Sequence, residues 1–138
     1  MIAATSLVAV VDDDESVRRA IARLIRSAGL DADTFPSGDE FLETLSDHKP
    51  DCIVLDLHMP KVDGLAVQSW LVRAGVRIPV IIVTGYDTPE ARAQAMKAGA
   101  VAFFRKPVDG EALLGAIARA VEDEKGDVSA PEGQPDRP

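Results

Sequence analysis

The sequence predicts an α/β fold in which one parallel sheet is covered by helices on both faces. Two observations lead to this prediction. Short apolar runs alternate along the chain with longer segments of helical periodicity, an order that is typical of β-α units joined by right-handed crossovers. Several of the apolar runs also end in charged or hydroxyl residues, as parallel strands do when they lead into a shared site.

The first two units each begin with a short strand and continue into an amphipathic helix. Leu7 to Val11 forms a continuous apolar run, typical of a buried parallel strand. The following helix, which Gly29 ends, carries apolar residues at helical spacing: Val17, Ile21, Leu24, Ile25 and Ala28. Asp31 to Phe35 is predicted to be a weaker strand. Ser37 then opens the second helix, with Glu40 at the spacing of a capping box.

The third unit contains the clearest central strand. Pro50 ends the preceding helix, and the apolar run Cys52 to Leu55 leads directly to Asp56. The segment Met59 to Gly64 is predicted to be a loop, because proline cannot donate to a strand ladder and glycine tolerates turn conformations. A third helix is predicted over about Leu65 to Ala74.

The last two units repeat the pattern. A strand is predicted from Ile78 to Val83, and Thr88 is followed by a proline in the manner of a helix N-cap. That fourth helix is predicted to end at Gly99. Val101 to Phe104 is the fifth strand, and the fifth helix is predicted to begin near Asp109 with a buried apolar stripe.

Five such units predict a flavodoxin-like (βα)5 three-layer sandwich with the parallel strand order 2-1-3-4-5. The chain has 138 residues, close to the commonest size of one domain. We predict an N-terminal extension at residues 1–6, one domain at 7–124, and a tail at 125–138. The Pro, Gly and acidic content of the tail predicts a disordered segment or a truncated linker.

Composition excludes several classes of protein. Acidic residues outnumber basic ones by 23 to 15, giving a formal net charge of −8, so direct nucleic-acid binding by this chain is not expected. No apolar stretch approaches the roughly 20 residues that span a bilayer, and the start of the chain lacks the features of a secretory signal. We therefore expect a cytoplasmic protein without membrane association. The one cysteine, Cys52, is expected to be a small buried hydrophobe.

Polar residues follow four of the predicted strands and indicate a shared site. Asp12 and Asp13 follow the first strand, Asp56 the third, Thr84 the fourth and Lys106 the fifth. The carboxyl ends of parallel strands meet at one edge of a sheet, so we expect these side chains to converge. Acids with one hydroxyl and one ammonium are able to hold a divalent cation and to carry a phosphoryl group on a carboxylate.

These motifs resemble the receiver domain of bacterial two-component response regulators, in particular the FixJ-type branch. The resemblance covers roughly Leu7 to Glu124. It is carried by motifs that stand in the family's order: Asp12-Asp13, Asp56 with Met59-Pro60, Thr84, and Lys106-Pro107. Each motif alone would be weak, and their order makes the resemblance specific.

The resemblance implies the chemistry of the site. Asp56 is expected to accept a phosphoryl group from a phosphohistidine on a sensor histidine kinase or a phosphotransfer protein. Asp13, Asp56 and the backbone carbonyl of His58 are expected to bind Mg²⁺ or Mn²⁺, and Asp12 to hold a water on the metal. The protein would then be a regulatory switch that catalyses its own phosphotransfer and dephosphorylation, and not a metabolic enzyme.

The resemblance also assigns the switch. Lys106, joined to Pro107 by a cis peptide, is expected to pair with Asp56 before phosphorylation and with the phosphoryl group afterwards. Thr84 is expected to turn toward that group, and Phe103 to change its rotamer as Thr84 moves. His58 and Tyr86 are expected to tune the rate at which the phosphoryl group is lost.

The expected partners follow from the same resemblance. The fourth helix, fifth strand and fifth helix would form the output surface, through which a homodimer is expected. That surface includes Arg92, Lys97, Phe103 and Arg105. The kinase is expected to dock on the first helix and on the loop beside Lys106.

Two other functions are compatible with parts of the sequence. Asp12-Asp13-Asp14 has the Asp-x-Asp spacing of a Mg²⁺-dependent phosphohydrolase of the haloacid-dehalogenase type, with Asp12 as nucleophile, but this leaves Asp56 without a role. The third hypothesis is a receiver fold that serves as a binding module without phosphorylation. Retention of every acceptor-site residue argues against it.

Overall fold

The protein is described from a computed structural model that covers residues 6–47 and 49–129, with backbone only for 124–129. Strands and helices alternate throughout. In chain order they are β1 Leu7–Val11, α1 Glu15–Ser27, β2 Asp31–Phe35, α2 Gly38–Thr44, β3 Cys52–Leu55, α3 Gly64–Ala74, β4 Val80–Thr84, α4 Pro89–Lys97, β5 Ala100–Arg105 and α5 Gly110–Ser129.

The five strands form one parallel sheet in the order β2-β1-β3-β4-β5. This confirms the predicted flavodoxin-like topology. From β1 the chain continues to β2 on one side, and β3 then lies on the other side of β1. The carboxyl ends of β1 and β3 therefore border a crevice. Every residue of β3 and β4 is buried, whereas β2 and β5 lie at the edges of the sheet and are partly exposed. Central strands covered on both faces read as continuous apolar runs for this reason.

The core has one layer on each face of the sheet. Helices α2, α3 and α4 pack on one face through residues such as Phe41, Val67 and Ala95. Helices α1 and α5 pack on the other, where Cys52 is buried as the sequence predicts. Adjacent strand residues point to opposite faces, so Phe103 belongs to the first layer while its neighbour Phe104 packs against the second.

The helix starts are fixed by side-chain caps. Ser37 Oγ accepts a hydrogen bond from Glu40 N at 3.2 Å, and Thr88 Oγ1 accepts one from Ala91 N at 3.0 Å, which confirms both predicted starts. Asp14 caps α1 through Val17 N. Each cap satisfies a backbone N–H of the first helical turn that has no partner within the helix.

Several boundaries differ from the prediction, among them the start of β4 and the end of α5. Strand β4 begins at Val80 and not at Ile78, because Pro79 has no N–H to donate, although its carbonyl accepts from Ile53 N at 2.9 Å. Helix α5 continues to Ser129, and so extends past residue 124, where the predicted domain ends. Glu122, Glu124 and Lys125 are good helix formers, and each residue that continues a helix adds one hydrogen bond.

The remaining parts of the predicted termini, residues 1–5 and 130–138, lie outside the described residues. Among the helices that the structure describes, none is long and apolar enough to cross a bilayer.

Candidate functional site

The sheet brings the predicted site residues to its carboxyl edge. Asp12 follows β1, Asp56 follows β3, Thr84 ends β4, and Lys106 follows β5. Backbone hydrogen bonds continue past the strand ends: Asp56 N donates to the carbonyl oxygen of the last residue of β1 at 3.0 Å, and Lys106 N donates to Thr84 O at 2.9 Å. The strand register therefore determines how closely these side chains approach.

Three carboxylates form a cluster at this edge. Asp12, Asp13 and Asp56 each place one oxygen within 4.8 Å of the others. Asp12 and Asp56 are only 2% and 4% exposed, whereas Asp13 is open to solvent. Oxygen ligands of this kind are those that hard divalent cations prefer. Because Asp13 is exposed, a cation is able to reach the buried Asp12 and Asp56 from the solvent side.

Lys106 closes the cluster from the side of β5. Its Nζ lies 2.9 Å from Asp12 Oδ2 and 3.2 Å from Asp56 Oδ2. Burial lowers the pKa of Lys106, but the hydrogen bonds and negative charges of the two aspartates outweigh burial and raise that pKa above its ordinary value. The ammonium is therefore charged at neutral pH. The Lys106–Pro107 peptide is cis.

Asp12 is held from three sides. Its Oδ1 accepts from Asp14 N at 2.9 Å, its Oδ2 meets Lys106, and its backbone carbonyl accepts from Arg18 Nη1 at 2.9 Å. Burial raises the pKa of Asp12, with the nearby charge of Asp56 acting in the same direction and the hydrogen bond from Lys106 opposing it. A charged Asp12 is thus less favourable in the folded protein than in water until a cation compensates it.

The second oxygen of Asp56 is oriented by the loop after β3. Its Oδ1 accepts from His58 N at 3.2 Å, which places the backbone of His58 beside the acceptor carboxylate. The imidazole of His58 is exposed and stacks on Tyr86, with ring centroids 5.5 Å apart. Tyr86 N in turn donates to Thr84 Oγ1 at 3.1 Å. The fully buried Thr84 hydroxyl is therefore connected to the loop after β4.

Phe103 lies between the sheet and α4. Its ring is 9% exposed, and the guanidinium of Arg92 lies 4.5 Å from the ring centroid. Arg92 also meets Asp87 Oδ2 at 3.5 Å. One arginine therefore contacts both the predicted switch ring and the loop that carries Tyr86.

Two contributors to the site were not found from the sequence. Arg18 lies outside the apolar stripe of α1, and no periodicity links it to the carbonyl of Asp12. Gly64 was interpreted as a turn residue, yet a Cβ at this position would lie 2.7 Å from Leu57 Cα and would also collide with the carbonyl of Asp56. A glycine that opens a helix behind a strand-end acid is the signal that could have indicated this close approach.

A doubly wound α/β sheet with an acid cluster and a lysine at its carboxyl edge defines a receiver-type signalling domain. The sequence profile of the response regulator receiver domain matches residues 8–118. The chain therefore belongs to the response regulator receiver family of two-component signalling, and its role is regulatory.

Relatives support this assignment. The chain is 40% identical over 116 residues to the response regulator protein TodT of Pseudomonas putida, covering 84% of this chain and 51% of that protein. It is 45% identical to the response regulator receiver protein from Burkholderia phymatum, whose crystal structure matches with a TM-score of 0.76 over 86% of this chain and 96% of that one. The crystal structure titled FixJ-N matches at 33% identity and a TM-score of 0.80, covering 87% of this chain and 96% of the other.

The chain spans about half the length of the curated relatives it matches. The likeness to FixJ-N confirms that the sequence resembles this branch of the family. The family assignment does not favour a phosphohydrolase of the haloacid-dehalogenase type.

Proposed function

We propose that this chain is a phosphorylatable receiver, and that Asp56 accepts the phosphoryl group from a phosphohistidine on a sensor histidine kinase or a phosphotransfer protein. One observation carries the proposal. The Asp56 carboxylate is buried at the end of a central strand, and it faces both the Lys106 ammonium and two further carboxylates. This arrangement combines a nucleophile, a cation and oxygen ligands at one point.

The transfer needs little covalent chemistry from the protein. An Asp56 oxygen forms a bond to phosphorus while the bond from phosphorus to the donor's imidazole nitrogen breaks, and the imidazole leaves with the electron pair. Lys106 already lies 3.2 Å from Asp56 Oδ2. It is therefore positioned to pair with a phosphoryl oxygen once that oxygen occupies the site. Its raised pKa keeps it charged for this role.

The residues of the cluster fit a divalent cation. Among the described residues, Lys106 is the one cation ion-paired with these carboxylates, so three negative charges face one positive charge. We propose that Asp13, Asp56 and the backbone carbonyl of His58 bind Mg²⁺ or Mn²⁺ directly and that Asp12 binds it through water. The bound cation would neutralise charge on the phosphoryl oxygens.

The switch proposal begins with Thr84 and ends at Phe103. The Thr84 hydroxyl accepts from the backbone of Tyr86, so its turn toward a phosphoryl group would pull the 85–88 loop. Asp87 in that loop meets Arg92, and Arg92 covers the Phe103 ring. We propose that this chain of contacts connects Asp56 to α4 and β5. The stacked His58 and Tyr86 rings are proposed to tune how long the phosphoryl group persists.

The output is proposed to be a homodimer through α4, β5 and α5, at a cytoplasmic location. Met96 on this face is 44% exposed, which gives the surface apolar area to bury. Kinase docking on α1 and the loop beside Lys106 is part of the same proposal.

Phosphorylation of Asp56 is tested with acetyl phosphate and Mg²⁺, followed by intact and peptide mass spectrometry. We expect a base-labile phosphoryl adduct on Asp56 in the wild type and none in Asp56→Asn or without Mg²⁺. Asp63→Asn is the matched control: it makes the same change nearby, and asparagine preserves the cap that Asp63 provides to Ala66 N. An adduct on Asp12 would instead support the phosphohydrolase.

A second probe distinguishes the receiver switch from a binding module. Beryllofluoride mimics the phosphoryl group on a carboxylate, and we expect it to shift the resonances of Thr84, Phe103 and α4. If neither acetyl phosphate nor beryllofluoride modifies the protein, phosphorylation-independent binding becomes the better explanation.

A further inference from the structure

A cleft of about 580 Å³ lies at the end of the sheet opposite to the acid cluster. It is bounded by the end of α3, the segment that leads into β4, and the turn from α4 into β5. Its walls are mainly apolar and include Leu71, Val72, Val76, Ile78, Val80 and Val101. The volume falls within the range of small-molecule sites, roughly 300–1,000 Å³.

The charge around this cleft contrasts with the charge of the chain. The protein carries a formal net charge of −8, yet the charged residues that line the cleft are Lys49 and Arg77, both exposed. Among the described residues no carboxylate lines it. An anionic group would therefore be attracted to this rim, while most of the remaining surface repels it.

Gln68 is a buried polar residue at the same cleft. Its side chain is 1% exposed and lines the cleft. Its Nε2 donates to Ala95 O at 3.0 Å, whereas its Oε1 has no hydrogen-bond partner among the described residues. Ala95 lies in the last turn of α4, where carbonyl oxygens lack partners within the helix. A carbonyl oxygen can only accept a hydrogen bond, so the NH₂ end of the Gln68 amide must face Ala95 O. Such a buried acceptor costs free energy until a donor reaches it.

Two of the apolar residues that line the cleft are exposed valines. Val72 is 63% exposed and Val101 is 54% exposed, and they line the cleft from α3 and from β5. An apolar body in the cleft would remove both from water. The apolar walls would contact an apolar ligand body, the cationic rim an anionic group, and Gln68 a hydrogen-bond donor.

We propose that this cleft binds small amphipathic acids that carry a carboxylate, an apolar body and one N–H or O–H donor. The carboxylate pairs with Arg77 and Lys49, the body covers the valines, and the donor bonds to Gln68 Oε1. The same Gln68 side chain joins α3 to the last turn of α4, so a bound acid stabilises the contact between these helices. The site is separate from the acid cluster and does not depend on phosphorylation.

Three indole probes test the three parts of the ligand. Indole-3-acetate has the ring, the N–H and the carboxylate, 1-methylindole-3-acetate lacks the N–H, and indole-3-acetamide lacks the charge. Each is titrated into the full chain and followed by amide chemical shifts. We expect saturable shifts for indole-3-acetate confined to Lys49, α3, the start of β4 and the turn before β5. The N-methyl compound should bind about tenfold more weakly, as loss of a hydrogen bond to a buried carbonyl predicts.

Substitutions in the protein test where the ligand carboxylate and the ligand donor bind. Arg77→Gln should weaken indole-3-acetate binding about two- to fivefold, the range for a partly exposed ion pair. Arg73→Gln removes the same charge from an exposed α3 position outside the cleft and should leave binding unchanged. Gln68→Met should abolish the preference for the N–H compound over its N-methyl analogue. If Gln68→Met does not fold, the Arg77 and Arg73 pair still decides the outcome.

The opposite results would overturn the proposal. Absence of saturable binding at millimolar probe, or shifts located elsewhere, would rule out a ligand site in this cleft. Equal binding of the amide would show that the cleft does not select a carboxylate. Equal binding of the N-methyl compound would show that no ligand donor bonds to Gln68 Oε1.

Discussion

The guanidinium of Arg92 on α4 lies 4.5 Å from the centroid of the Phe103 ring on β5. A cation over an aromatic face is attracted by the ring quadrupole. The contact joins a helix to an edge strand at the point where the sequence predicts an aromatic switch. The contact therefore holds the Phe103 ring in a defined position, and its interaction free energy is measurable.

We predict that Arg92 and Phe103 are energetically coupled. A double-mutant cycle with Arg92→Ala and Phe103→Leu, measured by urea unfolding, should give a coupling free energy of about 0.5–1 kcal/mol. The cycle of Arg92→Ala with Asp87→Ala is the control, because that pair is 3.5 Å apart with half of the Arg92 side chain exposed. Its coupling should be smaller and should vanish in high salt. Additive effects of Arg92 and Phe103 would contradict the prediction.

We predict that Mg²⁺ stabilises the folded protein through the acid cluster. At a concentration about 100 times its dissociation constant, Mg²⁺ should raise the free energy of unfolding by about 2.7 kcal/mol, because it binds the folded state alone. Asp13→Asn should remove most of this gain by deleting the exposed carboxylate of the cluster. Asp33→Asn, an exposed change on edge strand β2, is the control and should retain the gain. Equal stabilisation of both variants would place the cation elsewhere.

We predict that Asp12 makes the metal-free stability depend on pH. Burial raises the folded-state pKa of Asp12 above 3.8, so the folded protein binds this proton more tightly than the unfolded chain does. The stability that this difference contributes is fully present below pH 3.8 and is lost as the pH rises through the raised pKa. The gain in stability from Asp12→Asn should therefore increase with pH across this window. Urea unfolding of both proteins in chelator at several pH values measures it. A gain that falls with rising pH would reverse the sign we assign.

We predict opposite effects for two glycine-to-alanine changes. Gly64→Ala should destabilise by about 1–3 kcal/mol, as overpacking does, because the new Cβ would meet the backbone of Leu57 at 2.7 Å. It should also slow phosphorylation by displacing Asp56. Gly115→Ala places a Cβ in α5 against the end of the Arg119 side chain at 3.7 Å and should stabilise by about 0.5–1 kcal/mol. Thermal unfolding and acetyl phosphate labelling test both variants, and equal effects would refute the steric argument.

Much of the fold was predictable because it depends on local patterns. The strands β1, β2 and β3 coincide with the predicted runs, since each run is bounded by residues that end a strand or begin a helix. Ser37 and Thr88 cap helices where their spacing indicates. No single residue marks the end of α5 in the sequence, because helix propagation depends on the summed propensity of several residues.

The site was predictable to a smaller extent. The resemblance places Asp12, Asp13, Asp56, Thr84 and Lys106 at one edge, and the strand register brings their segments together. The resemblance implies that Lys106 pairs with Asp56, and the structure shows this pair at 3.2 Å together with a shorter contact to Asp12 at 2.9 Å. Side-chain distances of this kind depend on the positions of β1, β3 and β5 in the sheet, and no pattern along the chain encodes them.

The sequence alone determined the order of elements, the caps, and the set of acids, hydroxyl and ammonium that the site contains, because periodicity and turn chemistry act over a few neighbouring residues. Only the tertiary structure decided which groups of different elements meet. It placed Arg92 over Phe103, brought Gly64 against Leu57, and left Gln68 Oε1 without a partner among the described residues beside a cationic cleft. These contacts arise when helices pack on a twisted sheet, where burial and close packing act between residues of different elements.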